Sequence, residues 1–119
     1  MNIYEKHAVS LARLQVRLGD ACPVVQWADL DFKVVPGSVL RRAELGGGGM
    51  TLDADFVFEA LVETWRERRP EITDAKAMKD ALLRTPIGYL GDEYQVATVK
   101  IRPGGLEVQV ECVALGQRA

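Results

Sequence analysis

The hydrophobic pattern of the chain changes period several times, and each change marks a predicted element. From Tyr4 to Leu18 the apolar positions Tyr4, Ala8, Leu11 and Leu18 recur at helical spacing, with Glu5, Lys6, Arg13 and Arg17 mostly elsewhere around the helix. Gly19-Asp20 breaks the pattern, so one amphipathic helix is predicted over about 4–18. Such a helix either covers one end of a sheet or docks its face on a neighbouring subunit. From Cys22 to Val35 the period drops to two: Val24, Val25 and Trp27 are followed by Leu30, Phe32 and Val34 alternating with Asp31 and Lys33. Two short strands with a turn at Ala28-Asp29 are expected. Pro36-Gly37 interrupts them, and Ser38 to Leu45, where Val39 and Leu40 run into two arginines, reads as an edge strand.

Gly46, Gly47, Gly48 and Gly49 are four consecutive glycines, whose backbone entropy opposes both helix and paired strand. A flexible loop over 46–53 is the expectation. From Asp55 to Trp65 two patterns compete: Phe56, Phe58, Ala60, Val62 and Thr64 suit one face of a strand, whereas Phe58, Leu61, Val62 and Trp65 suit a helix. The aromatic content and the glycine loop before it favour a long strand, and the helix stays open. Arg66-Glu67-Arg68-Arg69-Pro70 closes the segment. Thr73 or Asp74 then caps a helix that presents Ala75, Met78, Ala81 and Leu82 on one face, with Pro86 as its stop.

The last third is a three-stranded meander over 87–115: Ile87 to Leu90, a turn at Gly91-Asp92, Tyr94 to Ile101, a turn at Pro103-Gly104-Gly105, and Leu106 to Leu115. In its final strand Leu106, Val108, Val110, Cys112 and Ala114 point one way and Glu107, Gln109 and Glu111 the other, which predicts one buried and one wet face. The pattern as a whole predicts an α+β, mostly β class. Its expected form is an antiparallel β-barrel or sandwich with an N-terminal helix and one inserted helix.

With 119 residues and 48% apolar side chains, the chain is expected to fold as a single domain, 1–119, around one core. The net charge of -2 argues against a surface designed throughout to attract nucleic acid or anionic lipid, so any such contact is local. The start of the chain carries no apolar signal-like run, and no stretch approaches the length of a membrane span, so a cytosolic protein without membrane contact is expected. Cys22 and Cys112 have no C-x-x-C spacing, and His7 is the one histidine, which excludes the common zinc signatures. Both cysteines are expected as reduced, buried thiols.

The residues offer little chemistry. His7 has no nucleophile beside it, so no triad is expected, and no catalytic residue, cofactor or metal is assigned. Met50-Thr51 follow the glycines where a phosphate-cradling loop would carry lysine. Asp53 with Asp55, and Asp29 with Asp31, are solvated loop acids, with a cation site on Asp53 and Asp55 as the competing reading. Arg66, Arg68 and Arg69, with Arg41 and Arg42 upstream, form either partner salt bridges or a weak, salt-sensitive contact to a DNA backbone.

The run Thr85-Pro86-Ile87-Gly88-Tyr89-Leu90-Gly91-Asp92-Glu93-Tyr94-Gln95-Val96, followed by Pro103-Gly104-Gly105 and an apolar strand, resembles the C-terminal half of small phage head-tail joining proteins. The upstream order of helix, strand near Val34, Gly-rich loop and strand near Phe56 is similar in outline, so the likeness covers about two thirds of the chain. The helix from Thr73 to Arg84, which the simplest members lack, departs from it. The resemblance implies a structural protein of a phage or prophage, a homo-oligomeric ring in the virion neck between the portal-side connector and tail proteins. DNA would pass through its channel without sequence-specific contact. Before assembly such a protein resides in the bacterial host cytoplasm. The implied assembly loop is Gly46 to Gly49 with Met50 and Thr51, and the alternative function is a cytosolic β-barrel module that binds a peptide or small ligand.

Overall fold

The computed structural model describes residues 2–18, 23–36, 38–41 and 54–115. The predicted N-terminal helix is α1 (Ile3–Leu18), which opens with the Asn2 side-chain oxygen accepting the Glu5 N–H at 2.8 Å. It is followed by the hairpin β1 (Val24–Trp27) and β2 (Leu30–Lys33). Ala28 and Asp29 both lie at positive φ, 52° and 64°, the twist that a two-residue hairpin requires. Within the edge segment, β3 (Leu40–Arg41) is described.

The segment from Asp55 to Trp65 corrects the expectation of one long strand. β4 (Phe56–Leu61) stops at Leu61, and α2 (Val62–Arg66) begins at the next residue. Both competing patterns are real and occur in succession: Phe56, Phe58 and Ala60 face the core with period two, then Val62 and Trp65 face it with helical spacing. The inserted helix is therefore accompanied by a second, one-turn helix. α3 (Ala75–Leu82) starts as expected at Asp74, whose carboxylate accepts the Ala77 N–H at 2.8 Å.

The meander is β5 (Pro86–Tyr89), β6 (Asp92–Ile101) and β7 (Glu107–Ala114). Its first turn sits one residue earlier than expected, on Leu90 and Gly91, both at positive φ. β6 carries a register shift between Val96 and Thr98. The extra residue resets the phase, so Val96 and Val99, three apart, both reach the core.

All seven strands join one antiparallel sheet in the order β2-β1-β5-β6-β7-β4-β3, and the protein is α+β and mostly β. Among the described residues no ladder joins the two end strands, yet the sheet curls. Val34 N–H still bonds Pro23 on the β1 side at 3.0 Å, while Val35 N–H bonds the Glu59 carbonyl of β4 at 2.8 Å. One residue thus transfers the chain from one end of the sheet to the other. Ser38 secures the transfer, its hydroxyl accepting the Glu59 N–H at 3.0 Å.

The concave side holds the core, in which Trp27, Phe32, Phe58 and Trp65 pack at centroid distances of 4.4 to 6.1 Å, stacked where Trp65 meets Phe32 and Phe58 and tilted where Trp27 meets Phe32 and Trp65. Ala75, Met78 and Leu82 of α3 join the same cluster. Cys112 is a buried free thiol, as the sequence predicts, and Cys22 lies outside the described residues. None of the helices among the described residues is long and apolar enough to cross a membrane.

Candidate functional site

The polar side of the meander is where the side chains depart most from expectation. Strand alternation and register place Glu59 of β4 opposite Gln109 of β7, and Leu61 opposite Glu107. Glu59 and Glu107 are diagonal neighbours, a separation that long side chains bridge. Their carboxyls share a side-chain hydrogen bond. α1 crosses this corner, bringing His7 Nε2 to 3.5 Å from Glu107 Oε2. The expected wet face is therefore dry at one point: Glu107 is only 7% exposed, whereas Glu111 of the same face pairs with Lys100 at 3.3 Å.

Removal from water raises the Glu107 carboxyl to about 7, with the hydrogen bond to Glu59 and the Glu59 charge adding to the effect and Arg102 opposing it. Near neutral pH the Glu107 carboxyl is therefore about half protonated. A cleft of about 220 Å³ adjoins the pair, lined among others by Tyr4, His7, Arg102 and Glu107. The Cys112 thiol is pushed up to about 12, first by burial and then by Glu111, which leaves it an inert core side chain.

Along the rest of α1 the seat is incomplete. Gln15 is 2% exposed and its side-chain oxygen accepts the Thr64 hydroxyl at 3.0 Å, but its Nε2 has no hydrogen-bond partner. A groove of about 800 Å³ runs between the helix and the sheet body, with Ala8, Val9 and Ala12 on one side and Leu61, Val62 and Leu106 on the other.

Arg66 and Arg68 are exposed, but Arg69 lies 4.9 Å over the Trp27 ring and pairs with Glu71, which commits it to the fold. The Arg41 side chain and Arg42 lie outside what is described. So do Gly46, Gly47, Gly48, Gly49, Met50, Thr51 and Asp53. Asp55 has a structural task, its carboxylate accepting the Ala114 N–H at 2.7 Å. No group of three or more His, Cys, Asp or Glu among the described residues is placed to hold a metal ion.

Among the described residues, five of the six large exposed apolar side chains, all but Leu40 of β3, lie near the two ends of β6. Leu90, 67% exposed, precedes its start, and Leu115 joins it there through an N–H bond to the Glu93 carbonyl at 3.0 Å. Ile101 closes it, next to the turn over which Tyr4 packs, with Ile3 beside Tyr4 at 75% exposure. A ten-residue strand separates these groups by roughly 30 Å. Comparison of the chain with protein-family models, with curated proteins and with solved structures finds no match.

Proposed function

We propose that this protein is a structural subunit that forms a homo-oligomeric ring in the neck of a tailed phage or prophage particle, joining head to tail by docking rather than by chemistry. One observation carries the reading: exposed large apolar side chains lie at opposite ends of one strand, Leu90 with Leu115 and Ile101 with Ile3 and Tyr4. Two unlike patches on one subunit suit head-to-tail association, which closes into a ring when the rotation allows. Charged and amide side chains on the outer meander face, Lys100, Gln109 and Glu111, suit a surface that meets water, a portal-side connector or passing DNA.

Deleting the gene from its phage or prophage is expected to leave filled heads and separate tails in electron micrographs. The intact chain should restore joined particles and Leu90→Glu should not. Normal joined particles in the deletion, or a source genome that yields no particles, would overturn the reading. The groove beside α1 favours a second reading, a module that binds a peptide or small ligand. A peptide captured by the purified chain and lost in a variant blocking that groove, such as Ala12→Trp, would support it.

A further inference from the structure

Charge is sorted along the same axis as the exposed apolar side chains. The stretch from Tyr89 to Leu106 carries four charged residues: Asp92 and Glu93 stand at the start of β6 beside Leu90, and Lys100 and Arg102 stand at its end on either side of Ile101. All four are exposed. Lys100 pairs with Glu111, Arg102 faces Glu107 and Asp92 has a contact within its own chain, yet the Lys100 side chain keeps 59% of its exposure. Glu5 and Lys6, which follow Ile3 and Tyr4 on α1, balance each other. The backbone at the acidic end adds a second observation. Leu90 lies at φ 49° and Gly91 at 84°, so a γ-branched side chain occupies a left-handed position that such turns give to asparagine, aspartate or glycine. At 67% exposure it gains little burial in its own fold to offset that strain.

We infer that the junction between copies is directed by charge: the acidic end of β6, which carries Leu90, meets the basic end of the next copy, which carries Ile101. This rests on the reading of the chain as a self-assembling docking subunit. The partner is a second copy because each end supplies what the other lacks, an exposed apolar side chain flanked by charge of the opposite sign. Like ends repel. Two Leu90 ends would set Asp92 and Glu93 against their own copies, and two Ile101 ends would do the same with Lys100 and Arg102. A two-fold dimer through either patch is therefore disfavoured, and head-to-tail association alone combines apolar contact with charge attraction. Attraction between exposed charges is screened by salt, whereas burial of leucine and isoleucine is not. Salt sensitivity thus separates a charge-directed junction from one held by apolar contact alone.

Sedimentation equilibrium of the full chain in about 50 mM and about 500 mM sodium chloride tests this. The apparent dissociation constant of the wild type is expected to rise about tenfold at the higher salt. Asp92→Lys with Glu93→Lys makes both ends basic, and Lys100→Glu with Arg102→Glu makes both ends acidic. Each double variant alone should associate about tenfold more weakly than the wild type or worse, and their equimolar mixture should associate as the wild type does. Where a double variant does not fold, Glu93→Lys and Lys100→Glu take their place, and the mixture of these should form at least the heterodimer. A wild type that oligomerises with equal affinity at both salt concentrations, variants that associate as the wild type does, or a mixture no tighter than its components would overturn the charge-directed junction and leave the docking reading standing. A wild type that stays monomeric would overturn both.

Discussion

Trp65 packs against three other aromatic side chains of the core, Trp27, Phe32 and Phe58. It is fully buried, stacks on Phe32 at 4.4 Å, and donates its indole N–H to the Lys33 carbonyl at 3.0 Å, tying α2 to β2. Trp65→Ala is expected to cost about 3–5 kcal/mol in denaturant titrations. Trp65→Phe should cost less, about 1–3 kcal/mol, since it keeps ring packing but strands the carbonyl. Glu107 makes the second residue-scale prediction. Its folded carboxyl titrates near 7 against an ordinary 4.5, so the native state binds more protons across that window and stability falls as pH rises through it. Thermal midpoints should therefore decline from pH 4.5 to 7 in the wild type and stay nearly level in Glu107→Gln. A wild type that gains stability over this range would contradict the assignment. Trp65 was legible as core only in the helix reading of its segment, because the strand reading put Phe56, Phe58, Ala60, Val62 and Thr64 on one face and left Trp65 on the other. Glu107 was not, because its alternation phase assigns it to the wet face and only the seating of α1 over that corner makes it dry.

At the scale of elements, the turns and caps were the most legible features, since each depends on a few adjacent residues. Asp74 caps α3 as its sequence position predicts, and Asp74→Ala should lower stability by about 1 kcal/mol. Gly104 is a different case. Its φ of +93° and the proximity of Tyr4 mean that Gly104→Ala strains the turn and pushes the start of α1 away, so the exchange protection of α1 should drop more than that of β7. The junction at Leu61 was harder to read because a strand pattern and a helix pattern overlap on Phe58, Leu61 and Val62. Periodicity measured over the whole window averages the two. The bulge in β6 was hidden for the same reason: Val96 and Val99 break the alternation, and only pairing with β7 shows which residue is extra.

For the whole molecule, the mostly β class followed from alternation, but the strand order did not. β1 pairs with β5 across about sixty residues of sequence and β4 with β7 across about fifty, and alternation says which face of a strand is buried, not which strand lies beside it. The curl depends on Val34 and Val35 bonding in opposite directions, which no local pattern announces. That curl leaves the two exposed apolar groups at opposite ends of β6, and the proposed ring depends on their meeting between copies. Sedimentation velocity on Leu90→Glu, on Ile101→Glu and on their equimolar mixture tests this most directly, because each variant spoils one patch and keeps the other. The account predicts a closed oligomer for the wild type, a monomer for each variant alone, and a capped dimer for the mixture; a wild type that stays monomeric at its highest soluble concentration, or a mixture that stays monomeric, would contradict it.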